Sequence, residues 1–147
     1  MLFKAIKDGQ NSSDFHKKCN EKVQQLTFIK ITEGEIFGGY TKIGFYSRDG
    51  YYKDNNAFVF SFSKRKIYNI KRDKNAIYDF KSDRPCFAGE SESTWIFGIP
   101  SKMFDDQSHN CEMNQSYFTG ITSDFEINNV EKYFNIQEIE VYKILYN

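Results

Sequence analysis

Two pairs of soft donors carry the clearest ligand chemistry in this chain: His16 with Cys19, three residues apart, and His109 with Cys111, two apart. Imidazole nitrogen and thiolate sulfur are the donors of tetrahedral zinc sites, so these four side chains form a candidate metal cluster. Closed zinc sites use tighter spacing on both sides, and Cys19 also falls on an apolar stripe. The favoured reading is therefore no metal and no cofactor, with Cys19 in the core and His109 pinning its own loop by hydrogen bonding. Cys86 and Cys111 are candidates for redox chemistry, with His109 as the activating base. Asp105, Asp106 and Glu112 surround Cys111 with negative charge, which raises a thiol pKa, and free cysteine is among the most buried residue types. Glu138 and Glu140 share one face of a strand, where Glu90 or Glu92 would approach them across the end of a sandwich. Acid–base work needs environments that split two carboxyl pKa values, and alternating glutamates are more commonly the wet side of a strand. Gly34, Gly38 and Gly39 form neither a dinucleotide fingerprint nor a phosphate loop.

A contact surface is the competing expectation. Residues 101–116 are polar and long, with Met103 and Phe104 as anchors and His109 within the same segment, while Glu138 and Glu140 add charge from the last strand. A cover over one end of the core accounts for that segment equally well.

The elements that must position these residues are mostly strands. Residues 26–31 and 36–40 are rich in β-branched and aromatic side chains, and Thr32-Glu33-Gly34 between them is a hairpin loop. Residues 57–62 alternate Phe58, Phe60 and Phe62 against Ala57, Val59 and Ser61, so three phenylalanines share a face that calls for a partner layer. Before these, residues 2–7 read as a strand ending at Asp8-Gly9. A helix capped by Ser12 or Ser13 follows, with Phe15, Cys19 and Val23 as its apolar stripe. After them come short strands at 67–71 and 76–80, divided by a polar turn, then apolar runs at 86–89 and 94–99 that stop before Pro100. Ser123 and Glu126 have capping-box spacing ahead of Ile127, Val130 and Phe134, which predicts a short helix. Residues 136–145 are the last strand, and their shift of phase predicts a bulge near Val141.

The totals bound the function class. With 147 residues the chain is long enough for one domain, 1–147, and its core draws on fifteen Phe and ten Tyr. Twenty Lys+Arg balance twenty Asp+Glu, leaving no net field to draw in nucleic acid. Lys64-Arg65-Lys66 with Lys71-Arg72 is read as a solvated strand end. No apolar run is long enough for membrane insertion, and the first residues lack the apolar core of a secretion signal. Three widely spaced cysteines suit a reducing compartment, so a soluble intracellular, cytoplasmic protein with free thiols is expected.

Taken in order, these residues resemble the TLDc domain family. The resemblance runs from Leu2-Phe3-Lys4-Ala5 and Asp14-Phe15-His16-Lys17-Lys18-Cys19 through Leu26-Thr27-Phe28-Ile29-Lys30 and Phe37-Gly38-Gly39-Tyr40. It continues with Ala57-Phe58-Val59-Phe60-Ser61-Phe62, Asn75-Ala76-Ile77-Tyr78, Phe87-Ala88-Gly89 and Ser108-His109-Asn110-Cys111, and closes on Gln137-Glu138-Ile139-Glu140-Val141-Tyr142. The chain departs from the family at Ala88-Gly89-Glu90, where a longer glycine run is usual, at Glu112-Met113, where a TF pair is usual, and at residues 122–133, which look inserted. The resemblance implies a mainly β fold with short flanking helices: a two-sheet antiparallel β-sandwich whose first and last strands lie close together. It also implies links to protection against oxidative damage and to the peripheral part of the vacuolar proton-pumping ATPase, with no accepted catalytic reaction. A non-catalytic protein-interaction module follows from it. The alternatives are a scaffold component of a cytoskeletal or ciliary assembly, or a thiol-based redox protector.

Overall fold

The computed structural model describes residues 1–87, 97–98, 110–111, 117–129 and 133–146, with positions 97, 98, 110 and 111 described by their backbone alone. The chain runs through β1 (Phe3–Lys4), α1 (Ala5–Asp8), α2 (Ser12–Cys19), β2 (Gln25–Ile31), β3 (Ile36–Thr41), β4 (Gly50–Lys53) and β5 (Phe58–Ser61). It continues through β6 (Lys66–Asn69), β7 (Asn75–Asp79), β8 (Cys86–Phe87), β9 (Phe97–Gly98), β10 (Asn110–Cys111) and β11 (Ile136–Lys143). The strands form two antiparallel sheets, a six-stranded one ordered β1-β11-β2-β3-β5-β6 and a five-stranded one ordered β10-β9-β8-β7-β4. β1 lies against β11 with Phe3 opposite Val141, so the two ends of the chain meet as the resemblance implies.

Inward residues of both sheets build one aromatic core. Phe3, Phe15, Ile29, Phe37, Phe45, Val59, Ile77, Phe87, Ile139 and Val141 are buried in it together. Its rings meet edge to face, the preferred arrangement of aromatic quadrupoles: Phe15 on Phe3 and on Phe45 at 5.7 Å, Phe37 on Phe134 at 5.4 Å, and Phe45 on Phe87 at 5.9 Å. Gly39 lies under the ring of Phe87 from the opposite sheet, and a Cβ there would stand 2.7 Å from that ring. No helix among the described residues is long and apolar enough to cross a membrane.

Several expectations are corrected. Residues 2–7 do not make one strand: β1 ends at Lys4, and α1 follows as a single turn because the Asp8 carboxylate accepts the Lys4 N–H at 2.8 Å. Asn11, not Ser12 or Ser13, caps α2, and Asp14 accepts the Asn11 N–H at 3.0 Å. That helix stops at Cys19, so Val23 is off the stripe and exposed, while Phe15 and Cys19 are buried. β4 was not anticipated, since Gly50-Tyr51-Tyr52-Lys53 has no alternation to mark it. The polar turn after β6 carries the chain to the other sheet. Residues 123–129 form turns and no α-helix, with Asn129 at φ 57. Glu126 there accepts from Thr122 N at 2.7 Å and Thr122 Oγ1 at 2.9 Å, without serving Ser123. The register of β11 shifts between Ile136 and Glu138, away from Val141, which faces inward. Within 101–116, β10 adds a strand paired with β9.

Buried carboxylates tie the long connections to this frame. Asp79, at the end of β7, accepts from Tyr46 N at 2.9 Å, Ser47 N at 2.9 Å and Arg48 Nε at 2.7 Å. The Arg48 guanidinium in turn lies 4.1 Å from the centre of the Tyr52 ring. Asp54 holds the start of the same excursion through Thr41 Oγ1 at 2.8 Å and Lys42 N at 2.6 Å. Glu126 meets Lys66 Nζ at 2.6 Å and thereby fastens residues 122–126 to β6. Burial alone would raise the Glu126 carboxyl, but Lys66 and the two Thr122 donors outweigh it and hold the group at about 2. The Tyr68 hydroxyl stands nearby, outside hydrogen-bonding geometry, and burial pushes its phenol above the ordinary range.

Three outcomes follow from these contacts. Asp79→Ala strands two backbone N–H groups and a guanidinium, so urea unfolding should show a loss of about 3–5 kcal/mol, the usual cost of breaking a buried charged network. An effect within 1 kcal/mol of wild type would refute that role. Gly39→Ala forces the Phe87 ring away and should cost about 1–3 kcal/mol, as overpacking does, read as a lower urea midpoint at unchanged slope. The Glu126 pair should make stability acid-sensitive, because its folded-state pKa lies below the unfolded value of about 4.3. Its contribution is present above that value and disappears as pH falls toward about 2. The difference in unfolding free energy between wild type and Glu126→Gln should therefore shrink across that window by something on the order of 2 kcal/mol, allowing for screening at the half-exposed lysine. A pH-independent difference would sink this assignment.

Candidate functional site

The outward face of the six-stranded sheet is built from continuous cross-strand rows. Register places Lys4 opposite Glu140, Glu140 opposite Phe28, Phe28 opposite Gly38, Gly38 opposite Phe60, and Phe60 opposite Ile67. The next row runs Tyr142, Leu26, Tyr40, Phe58 and Asn69. Because side chains alternate along each strand, the intervening residues Thr27, Ile29, Val59 and Tyr68 go to the core. The face thus grades from a charged end at β1 and β11, through an aromatic middle, to an apolar edge at β6.

This overturns the expected orientation of β5. The partner sheet lies on the side of Ala57, Val59 and Ser61, which are 2%, 0% and 1% exposed, whereas Phe62 on the other side is 63% exposed. The reason is volume. Phe37, Phe45 and Phe87 already fill the space between the sheets, so β5 can offer only small inward side chains at interior packing density. Its phenylalanines are left outside, where Gly38 lets the Phe60 ring settle onto the sheet: a Cβ at Gly38 would meet Phe60 Cζ at 2.8 Å and collide with the Thr27 carbonyl. Phe28 packs edge-on against Phe60 at 5.2 Å and Tyr142 at 5.9 Å, and Tyr40 stacks on Phe58 at 5.2 Å. Between these rings and the β5–β6 turn is an open groove of about 580 Å³, lined by Leu26, Phe28, Phe58, Phe60, Phe62 and Ile67 with Arg65 and Lys66 at its rim. Ile67 is 58% exposed, so the groove opens onto an apolar edge.

Glu138 and Glu140 both lie on this face. Glu140 takes Lys4 Nζ at 2.7 Å and the Tyr142 hydroxyl at 2.6 Å, and these two bonds, led by Lys4, hold its carboxyl below the ordinary range against a smaller effect of burial. Glu138 accepts the Ile6 N–H at 3.2 Å and the Ile139 N–H at 2.9 Å. The two carboxylates thus have separate partners. Met103, Phe104 and His109 lie outside the described residues, as do Glu90 and Glu92, and Cys111 is described only as backbone opposite Phe97.

His16 and Cys19 point to packing. Nε2 of His16 donates toward the carbonyls of Phe80 at 3.0 Å and Asp83 at 2.8 Å, and Nδ1 is 2.8 Å from Asn20 Oδ1. Both ring nitrogens are spent clamping α2 to the turn after β7. Cys19 is fully buried, and desolvation, helped by the Asp8 carboxylate, pushes its thiol up to about 12, opposite to what a thiolate ligand requires. Among the described residues, three His, Cys, Asp or Glu side chains nowhere gather as a metal site. Cys86, in β8, is fully buried and so withheld from aqueous oxidants. Of the basic stretch, Lys66 is paired with Glu126, Arg72 is 90% exposed beside Asp73, and Arg65 sits at φ 51 in the β5–β6 turn. The signal for the aromatic face was present in the sequence, because Leu26 and Phe28 alternate on β2 as Phe58 and Phe60 do on β5.

Comparison with known proteins agrees with this architecture. No curated protein matched the chain. The family model of the TLDc domain matches residues 1–145, nearly the whole chain, and the chain belongs to the TLDc domain family.

Proposed function

We propose that this TLDc-domain protein is a non-catalytic protein-interaction module and that the outward face of its six-stranded sheet is the binding surface. The observation that carries this is the pairing of Phe62 and Ile67, 63% and 58% exposed, with the aromatic groove beside them. Large apolar side chains grouped beside a groove and rimmed by charge are the composition of an interaction site, whereas scattered exposed apolar residues are ordinary. The rings are already fixed against one another, so binding has little rotamer freedom left to remove. The links implied by the family resemblance, to protection against oxidative damage and to the peripheral part of the vacuolar proton-pumping ATPase, make a large intracellular assembly the first partner to test.

The test is quantitative co-precipitation from the native cell with wild-type protein and with the Phe62→Ser/Ile67→Ser double variant. Both positions are exposed, so the variant should keep its thermal midpoint within a few degrees. Wild type should recover one assembly in stoichiometric amount, and the variant should lose it at least tenfold. Equal recovery by a folded variant would refute the assignment of this face, and no stoichiometric recovery by wild type would refute the interaction reading itself.

A further inference from the structure

Resting on that reading, we infer that the occupant of the outer groove is an acidic amphipathic helix of another protein. Its backbone chemistry comes first. Strands β2, β3 and β5 are interior to the sheet and hydrogen-bonded on both edges, so the face above them offers an incoming chain no backbone partners. An extended peptide laid there would bury its own N–H and C=O groups unpaired, whereas a helix satisfies them internally. The dimensions agree: from β2 to β6 is three strand spacings, about 14 Å, and a helix with its side chains is about 10–12 Å across. The floor of Phe28, Phe58 and Phe60 matches the apolar stripe of such a helix.

The charge of the occupant follows from the rim. Glu140 is neutralised by Lys4, and Lys66 by Glu126. Lys30, Lys64 and Arg65 are exposed and, among the described residues, have no salt bridge. Lys30 stands opposite Glu138 in the register, which offsets its charge, whereas Arg65 lines the groove with Lys64 beside it in the β5–β6 turn, so among the described residues the uncompensated positive charge lies on the β6 side of the aromatic floor. A partner with Asp or Glu beside its apolar stripe complements this arrangement. An anionic lipid surface would spread over the whole face and meet Glu138 and Glu140 at its far end, whereas a helix confined to the groove beside Lys64 and Arg65 does not reach them.

A photo-reactive benzoylphenylalanine placed at Ile67, with a control at the exposed Lys17 on α2, tests this in the native cell. Mass spectrometry of the adduct should give a peptide with apolar residues at helical spacing flanked by Asp or Glu. That peptide, made synthetically, should bind the purified protein by fluorescence anisotropy, weaken at least tenfold when its acids become amides, and weaken comparably against Lys64→Glu/Arg65→Glu protein. An adduct with a peptide of this chain, with lipid, or with a partner segment lacking acidic residues or helical spacing would overturn the helix inference. The last outcome would leave the protein-interaction reading standing. No adduct above the Lys17 control would overturn both.

Discussion

The ring of Phe87 pressed against the backbone of Gly39 is the contact on which the arrangement of this sandwich turns. It brings the two sheets as close as a side-chain-free position allows and commits the interior volume to rings supplied by Phe15, Phe37, Phe45 and Phe87. At crystal-like packing density, what one layer fills the other must leave empty. The inward positions of β5 are accordingly alanine, valine and serine. The phenylalanines of that strand are displaced to the far side by the same constraint, and the adjoining Gly38 gives Phe60 a seat there. Two consecutive glycines thus serve opposite faces, one for the core and one for the outward aromatic surface.

Such a core does not organise the connections by itself. Residues 42–57 leave β3, supply β4 to the other sheet and return to β5, and a path of that length carries many backbone groups needing partners. Asp54 and Asp79 answer that need by accepting several N–H groups each, one at either sheet. Gln25 does the same with the opposite polarity, its Nε2 donating to the carbonyls of Cys19 at 2.7 Å and Lys22 at 2.6 Å where α2 gives way to β2. The bonds to the Asp54 and Asp79 carboxylates are charge-assisted, the stronger class, so a few buried polar side chains can fix loops that hydrophobic packing leaves undetermined.

The long strands were legible in the sequence because their period is their own. Residues 26–31 and 36–40 were placed within one residue of β2 and β3. What failed depended on contacts made elsewhere. The fold of residues 5–8 into a turn rests on the Asp8 carboxylate reaching back to Lys4, and the loss of the expected helix at 123–129 follows Glu126 being drawn to Lys66, sixty residues away. The bulge was misplaced because apolar order alone shows that a phase changes, not where the pairing absorbs it; here the extra residue is Gln137 of β11, between Ile136 opposite Ile31 and Glu138 opposite Lys30. Alternation showed that β5 had a phenylalanine face, but only the volume already filled by Phe87 decides which way that face looks. At the site, Glu138 and Glu140 were legible as surface residues, while their neighbourhood with Phe28 and Phe60 required the register.

The two ends of the outer face differ in how their charge is handled, and this bears on recognition. Around β1 and β11, Lys4, Glu140 and Tyr142 form a closed hydrogen-bonded set, with the Lys4 ammonium held above and the Glu140 carboxyl below their ordinary values, each chiefly by the bond to the other. Separating that set to make new contacts would forfeit bonds already formed, so it serves better as a fixed wall. At the β5–β6 turn, Lys64 and Arg65 have no such commitment among the described residues and are exposed. For the proposed acidic partner, such exposed cations would steer the approach and set its register with little to break, while the interlocked rings between wall and turn would supply the area to be buried. On the proposed reading the face separates the two tasks of an interface, with orientation falling to the turn and contact area to rings that the core had no room to hold.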